Sequence, residues 1–149
     1  MSCLEPQTLF NDILRKINFL LIKDNKLFKF PQQPSEIEEG NREYKINLDY
    51  SNTKPSCINK ILNKKATQMN FRLCEGVGKA IYFLGVKDNG ESKGINLTKL
   101  FTSLIYFTKI VLLSNGKYSK ILIYKGSDGY IATIRVNKKF EKKHLLLEI

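Results

Sequence analysis

The chain has 149 residues, a formal net charge of +11, 42% hydrophobic residues and a mean hydropathy of −0.27. That length suits one domain able to bury most of its apolar surface. The longest apolar run, Leu97 to Leu113, holds Thr102, Ser103, Thr108 and Lys109 and is too short and too polar to span a bilayer, so no membrane partner is expected.

The N-terminal MSCLEPQTLF lacks a basic region followed by an apolar one and does not read as a signal peptide. Cys3, Cys57 and Cys74 are odd in number and widely spaced, with no CxxC pair, which fits a reducing, cytoplasmic setting. The charge is uneven: residues 1–53 carry seven Lys/Arg against eight Asp/Glu, and residues 54–149 carry eighteen against six. A basic half of this kind suits phosphate backbones. Lysine outnumbers arginine 21 to 4, however, whereas bidentate recognition of bases and phosphates favours arginine.

In chain order, Pro6 suits a first helical turn, and Phe10, Ile13, Leu14, Ile17, Leu20 and Leu21 repeat at three and four, predicting an amphipathic helix that ends near Lys23-Asp24-Asn25. Leu27–Phe30 reads as a short edge strand, followed by a linker through Pro31 and Pro34. Asn41 to Tyr50 alternates, with Tyr44, Ile46 and Leu48 expected inside and Glu43, Lys45 and Asn47 on the wet face of a strand. Pro55 and Ser56 open a second helix with Ile58, Ile61, Leu62, Lys65, Met69 and Leu73 on one face.

Glu75-Gly76-Val77-Gly78 breaks that helix, glycine past the last turn taking φ > 0. Ala80–Val86 is a short buried strand, and Asp88-Asn89-Gly90 is turn chemistry. Asn96 caps a third helix that buries Leu97, Leu100, Phe101, Leu104, Phe107, Ile110 and Val111 and ends at Asn115-Gly116. Tyr118–Lys125 and Tyr130–Lys138 flank Gly126-Ser127-Asp128-Gly129 as a hairpin.

The pattern predicts an α+β fold: a two-layer sandwich with a mostly antiparallel sheet and helices packed on one face, ferredoxin-like or AlbA-like, plus an N-terminal helix. The expected division is 1–35 as N-terminal helix and linker, 36–140 as the α+β domain, and 141–149 as a tail.

Candidate sites are few. Gly76-Val77-Gly78-Lys79 mimics part of a phosphate-binding loop, but Leu73 and Ala80 stand where that loop needs glycine and Ser/Thr, and it leads from helix to strand. The single histidine, His144, lies in the tail, so no Ser-His-Asp or Cys-His arrangement can be assembled; neither catalytic nor metal residues are assigned, and no cofactor. Glu39, Glu43 and Lys45 form an acid and E-x-K pattern that some metal-dependent nucleases use, and equally the outer face of an amphipathic strand. Tyr82, Tyr106, Tyr118, Tyr124 and Tyr130 among lysines could stack bases or serve as core. The candidate RNA-contact residues are Lys120, Lys125, Arg135, Lys138 and Lys139 of the hairpin.

Two motifs in succession carry a resemblance: Glu39-Gly40-Asn41-Arg42-Glu43-Tyr44-Lys45, then Thr67-Gln68-Met69, Arg72, Glu75-Gly76, Gly78, Gly85, Asp88-Asn89-Gly90 and Gly94. Over residues 39–94 the chain resembles the N-terminal region of the GTP-binding protein one/two family, elongation-factor-Tu-like GTPases of eukaryotes. Phe71 stands where that family usually has Trp, and the link from Leu48 to Thr67 is several residues longer. The resemblance implies a translation factor whose GTP-binding domain follows this region, using GTP and Mg²⁺, with the tail as its lead-in. No GxxxxGKS/T, DxxG or NKxD occurs in the 149 residues, so the chain itself is expected to be a non-enzymatic accessory domain with that domain, and RNA or the ribosome, as partners. The E-x-K strand and Gly85-Val86-Lys87-Asp88-Asn89-Gly90 also resemble the Schlafen AlbA-like modules, implying nucleic-acid binding or metal-dependent cleavage.

Overall fold

The computed structural model describes residues 11–15, 17–18 and 27–139. The elements follow as β1 (Arg42–Lys45), α1 (Pro55–Glu75), β2 (Lys79–Leu84), α2 (Leu97–Leu113), β3 (Gly116–Gly126) and β4 (Gly129–Lys138). The strands form one sheet in the order β1-β2-β4-β3, with β1 parallel to β2 and the other two pairings antiparallel. This is the expected α+β sandwich, its helices lying on the sheet. Its connectivity is not a split βαβ, because β1 and β2 are direct neighbours joined through α1. The additional short strand of a ferredoxin-like order is reduced to a single bridge, Ile95 with Tyr130.

Period-two alternation decides which side chains enter the core. Ala80, Tyr82 and Leu84 of β2 and Ala132, Ile134 and Val136 of β4 face Met69 and Leu73 of α1 and Leu100, Leu104 and Phe107 of α2. Each such large apolar side chain, fully buried, stabilises the fold by roughly 1.5–3 kcal/mol. Asn96 caps α2 as expected, its side chain accepting from the Lys99 N–H at 2.8 Å. Asn115 leaves that helix with φ 54, a left-handed position asparagine tolerates. Ile13 and Ile17 of the N-terminal helical residues are buried in the same core, while Leu14 of the expected stripe is 38% exposed. The expected helix start at Pro6 and stop near residues 23–25, together with His144 and the 141–149 tail, lie outside the described residues.

The break after α1 differs from the glycine rule. Gly76 has φ −96, and the left-handed positions are Val77 (φ 53) and Gly78 (φ 89). The N–H of Gly78 donates to Leu73 O at 2.7 Å and that of Val77 to Cys74 O at 3.2 Å, the paired bonds of a Schellman stop. Gly76 is required for a different reason: a Cβ there would lie 1.8 Å from Lys79 O and 2.6 Å from the Asn41 Cβ. The chain of β1 passes directly over this corner.

The second face of the sheet is partly covered by residues 27–36, which act as a strap. Phe28 and Phe30 exchange backbone hydrogen bonds with Lys125, so the expected edge strand is one bridge long, at Lys29. Gln33 N–H then donates to Gly90 O and Glu36 N–H to Asp88 O. Phe30 packs on Phe83 and Tyr124, beside Tyr44, Val86 and Ile131. Gly90 (φ 89) is needed where the strap crosses, since a Cβ would sit 2.0 Å from Gln33 O.

Candidate nucleic-acid interface

Strand β1 corrects the alternation read from the sequence. Only Arg42–Lys45 is strand, and Glu43 points inward, 1% exposed, while Ile46 is 38% exposed. Tyr44 packs edge-on against Phe83 on the opposite face. Leu48 reaches the core after the chain has left the sheet, its N–H donating to the Ser103 hydroxyl of α2 at 3.0 Å.

Glu43 goes inside because Arg72, 4% exposed in the last turns of α1, goes with it. Arg72 Nε donates to Glu43 Oε1 at 3.3 Å, and its terminal nitrogens donate to the carbonyls of Ile37 (3.0 Å), Glu38 (3.0 Å), Glu39 (3.1 Å) and Gly40 (2.8 Å). One guanidinium thereby fixes four consecutive peptide units. Around it, Gly40 N–H donates to the Glu75 carboxylate at 3.2 Å and Asn41 Nδ2 to Lys79 O at 3.1 Å. Glu36 accepts from the Tyr44 N–H. Burial and the neighbouring Glu43 push its carboxyl up to about 7. Lys65 is held below the usual lysine range by burial and by Lys45. The Tyr82 hydroxyl is buried beside this cluster with no hydrogen-bond partner among the described residues, and burial raises its pKa.

The motif residues therefore converge on architecture. Glu39, Gly40, Asn41, Glu43, Arg72, Glu75, Gly76 and Gly78 build the clamp between β1 and α1, with Met69 fully buried beneath. Gly85, Asp88, Gly90 and Gly94 shape the loop that the strap crosses. The Thr67 hydroxyl bonds back to Asn63 O, and Gln68 is half-buried. Asn89 caps the turn by accepting from the Glu91 N–H.

Glu39 offers Arg72 its carbonyl, and Glu43 is directed at Arg72, with Lys45 Nζ at 4.0 Å. Among the described residues no group of three or more His, Cys, Asp and Glu is arranged so that it could hold a metal ion. The N–H groups of Gly76, Val77, Gly78 and Lys79 all donate to nearby carbonyls at the C-terminal end of α1.

The hairpin candidates divide. Lys120 and Arg135 are cross-strand partners on the sheet face away from the helices, lining a concavity of about 180 Å³ with Ile81, Phe83, Leu122, Tyr124 and Thr133. Lys125 pairs with Tyr130 and Lys138 with Gly116, both on the helix side by alternation, and Lys139 N–H closes onto Asn115 O beyond the strand. The structure does not gather the five.

It adds residues the sequence reading passed over. Lys79 and Lys117 both pair in register with Asn137, hence lie on the same face as Arg135. A second concavity of about 390 Å³, lined by Lys79, Ser119, Arg135 and Asn137 among others, adjoins the first through Ile81 and Arg135. Lys79-Ile81-Phe83 at period two was the available signal. Of the tyrosines considered for stacking, Tyr124 alone reaches this face. Tyr82 packs on Phe107, Tyr106 on Tyr50, Tyr118 bonds Asp12, and Tyr130 borders the helix-side core.

Fold and site together define an α+β sandwich with a clamped strap on one flank and a basic, partly apolar sheet face. The curated proteins similar to it include GTP-binding protein 2 of Mus musculus and of Homo sapiens, each 40% identical over 74 residues, 50% of this chain and 11% of the relative. An uncharacterised protein of Acanthamoeba polyphaga mimivirus is 27% identical over 93 residues, 62% of this chain and 50% of that protein. Half of the chain is thus related in sequence to a GTP-binding protein, and it matches about a tenth of that protein's length. No protein-family model and no solved structure matches the chain. No helix among the described residues is long and apolar enough to cross a membrane.

Proposed function

We propose that the chain is a non-catalytic accessory module of a GTP-binding protein, packing beside and positioning the GTP-binding domain and contacting RNA or the ribosome in cytoplasmic translation. The observation that carries this is the 40% identity over 74 residues to GTP-binding protein 2. The missing nucleotide motifs support it, as do the spent amides at Gly76–Lys79. GTP and Mg²⁺ then belong to the other domain.

The test supplies that domain separately. The purified chain is titrated with a fluorescent GTP analogue and Mg²⁺, then with the GTP-loaded G domain of human GTP-binding protein 2 by calorimetry. Association with the domain and no binding of nucleotide alone are expected. Saturable nucleotide binding by the chain removes the non-catalytic assignment, and failure to associate at micromolar concentrations removes the accessory role.

A second reading is an AlbA-like nucleic-acid module working without a GTPase, favoured by the basic sheet face. The metal-dependent nuclease form of it gains no geometric support, because Glu43 is committed to Arg72.

A further inference from the structure

We propose that the sheet face opposite the helices is a binding surface for single-stranded RNA, held by Lys79, Lys117, Lys120 and Arg135 around an apolar centre of Ile81, Leu122 and Tyr124. This deepens the RNA contact of the preceding reading; its geometry is independent of the relation to a GTPase.

Four observations carry it. The strand positions that register places on this face include Arg42, Lys79, Lys117, Lys120 and Arg135 and no acidic residue. Lys79, Lys117, Lys120 and Arg135 are exposed, and none is in an ion pair among the described residues. Cations clustered without counter-charges raise the free energy of the bare surface and favour a polyanion.

The two concavities share Ile81 and Arg135 in their walls and so lie side by side across β2, β4 and β3. The centre of this surface is apolar, with Leu122 still 37% exposed. Duplex RNA would leave that centre unused, since its bases are stacked inside and it offers phosphates and 2′-hydroxyls. A single strand offers phosphates to the rim and base faces to Tyr124 and its neighbours. From Lys117 to Tyr124 the face spans roughly 20 Å, from about 3.3 Å per residue, which suits about four nucleotides, the lower end of known site sizes.

The strap closes the other half of the face. Phe30 covers Phe83 and Tyr124 from one side, and Arg42 lies over the Phe83 ring at 4.7 Å while bonding Gln33. The open half is therefore bounded, and it is the half carrying the unpaired cations.

The experiment measures fluorescence anisotropy of the full chain with fluorescein-labelled U12 and A12 RNA and with a duplex RNA of the same length. Single strands are expected to bind more tightly than duplex. Four phosphate contacts should lower the binding constant roughly fifty-fold between 50 and 200 mM salt.

Lys120→Glu/Arg135→Glu should abolish measurable binding, and Tyr124→Leu should weaken it at least about five-fold while leaving the salt slope unchanged. Lys138→Glu, on the helix side of the sheet, should retain most of the affinity. Circular dichroism of each variant checks the fold.

Duplex binding equal to or above single-strand binding overturns the assignment, as does RNA binding indifferent to Lys120 and Arg135; in both cases RNA contact by the chain survives. No RNA binding, with G-domain association lost in Lys120→Glu/Arg135→Glu, overturns it in favour of an acidic protein surface as occupant. No binding of either kind removes this proposal and the accessory role together.

Discussion

Replacing Arg72 by methionine keeps most of the side chain's length and removes its charge and all its donors. The guanidinium is 4% exposed and meets five acceptors, four carbonyls of residues 37–40 and the Glu43 carboxylate. Breaking a buried ion pair from one side costs about 3–5 kcal/mol, because the remaining charge is uncompensated. Glu43 would keep Lys45, at 4.0 Å, and the more distant Lys65, and would face Glu36 across a low-dielectric space.

The loss is a large share of the 5–15 kcal/mol that a domain of this kind possesses, and should appear in urea melts as a lowered midpoint and in heating as a fall of roughly 10 °C or more. Glu43→Gln alone should cost less, since an amide can still accept from Arg72. Arg72→Met with Glu43→Leu should recover much of the single loss, since a buried pair exchanged for apolar groups is often neutral. A cost under about 1 kcal/mol for Arg72→Met, or no recovery in the double variant, would refute the clamp as the device holding residues 37–40 and β1 to α1.

Glu36 gives a pH dependence with a fixed sign. Its folded pKa of about 7 lies above the ordinary 4.5, so its contribution to stability is full below 4.5 and is lost as pH rises through 7. Glu36→Gln should flatten urea midpoints across that window and raise stability at pH 8; a steeper slope would contradict the raised pKa. Val77→Gly should stabilise the chain by about 1 kcal/mol in the same melts, because a β-branched residue at φ 53 bears left-handed strain at a site 90% exposed. Tyr82→Phe should leave stability unchanged or raise it by about 1 kcal/mol, since the hydroxyl it removes is buried with no partner among the described residues; a loss above that would reveal a partner or an enclosed water.

Most of the scaffold was legible because its elements have long, regular patterns. The faces of α1 and α2, the Asn96 cap and the two-residue hairpin turn all follow from periodicity and turn chemistry that act locally. The errors sit where a tertiary partner overrules local preference. Glu43 reads as a wet-face residue until Arg72, twenty-nine positions later, brings a buried counter-charge. Val77 and Gly78, not Gly76, take the left-handed conformation, and Gly76 is required instead because Lys79 O and Asn41 fill the space a Cβ would need. The five lysines and arginines of the hairpin were grouped by nearness in sequence, and the sheet separates them by side.

The division between motif and surface bears on what sequence similarity can transfer. Nearly every motif residue seen in the structure is occupied in holding β1, α1 and the strap together: Arg72 by five acceptors, Glu75 by Gly40, Asn41 by Lys79, Gly90 by the passage of Gln33. The residues that face solvent with unspent chemistry, Lys79, Lys117, Lys120 and Arg135, lie outside that motif. A relative keeping the motif and replacing those four would share the scaffold without the polyanion surface. Sequence similarity to GTP-binding protein 2 therefore bears on how this corner is built, and the proposed RNA surface rests on the sheet face of this chain alone.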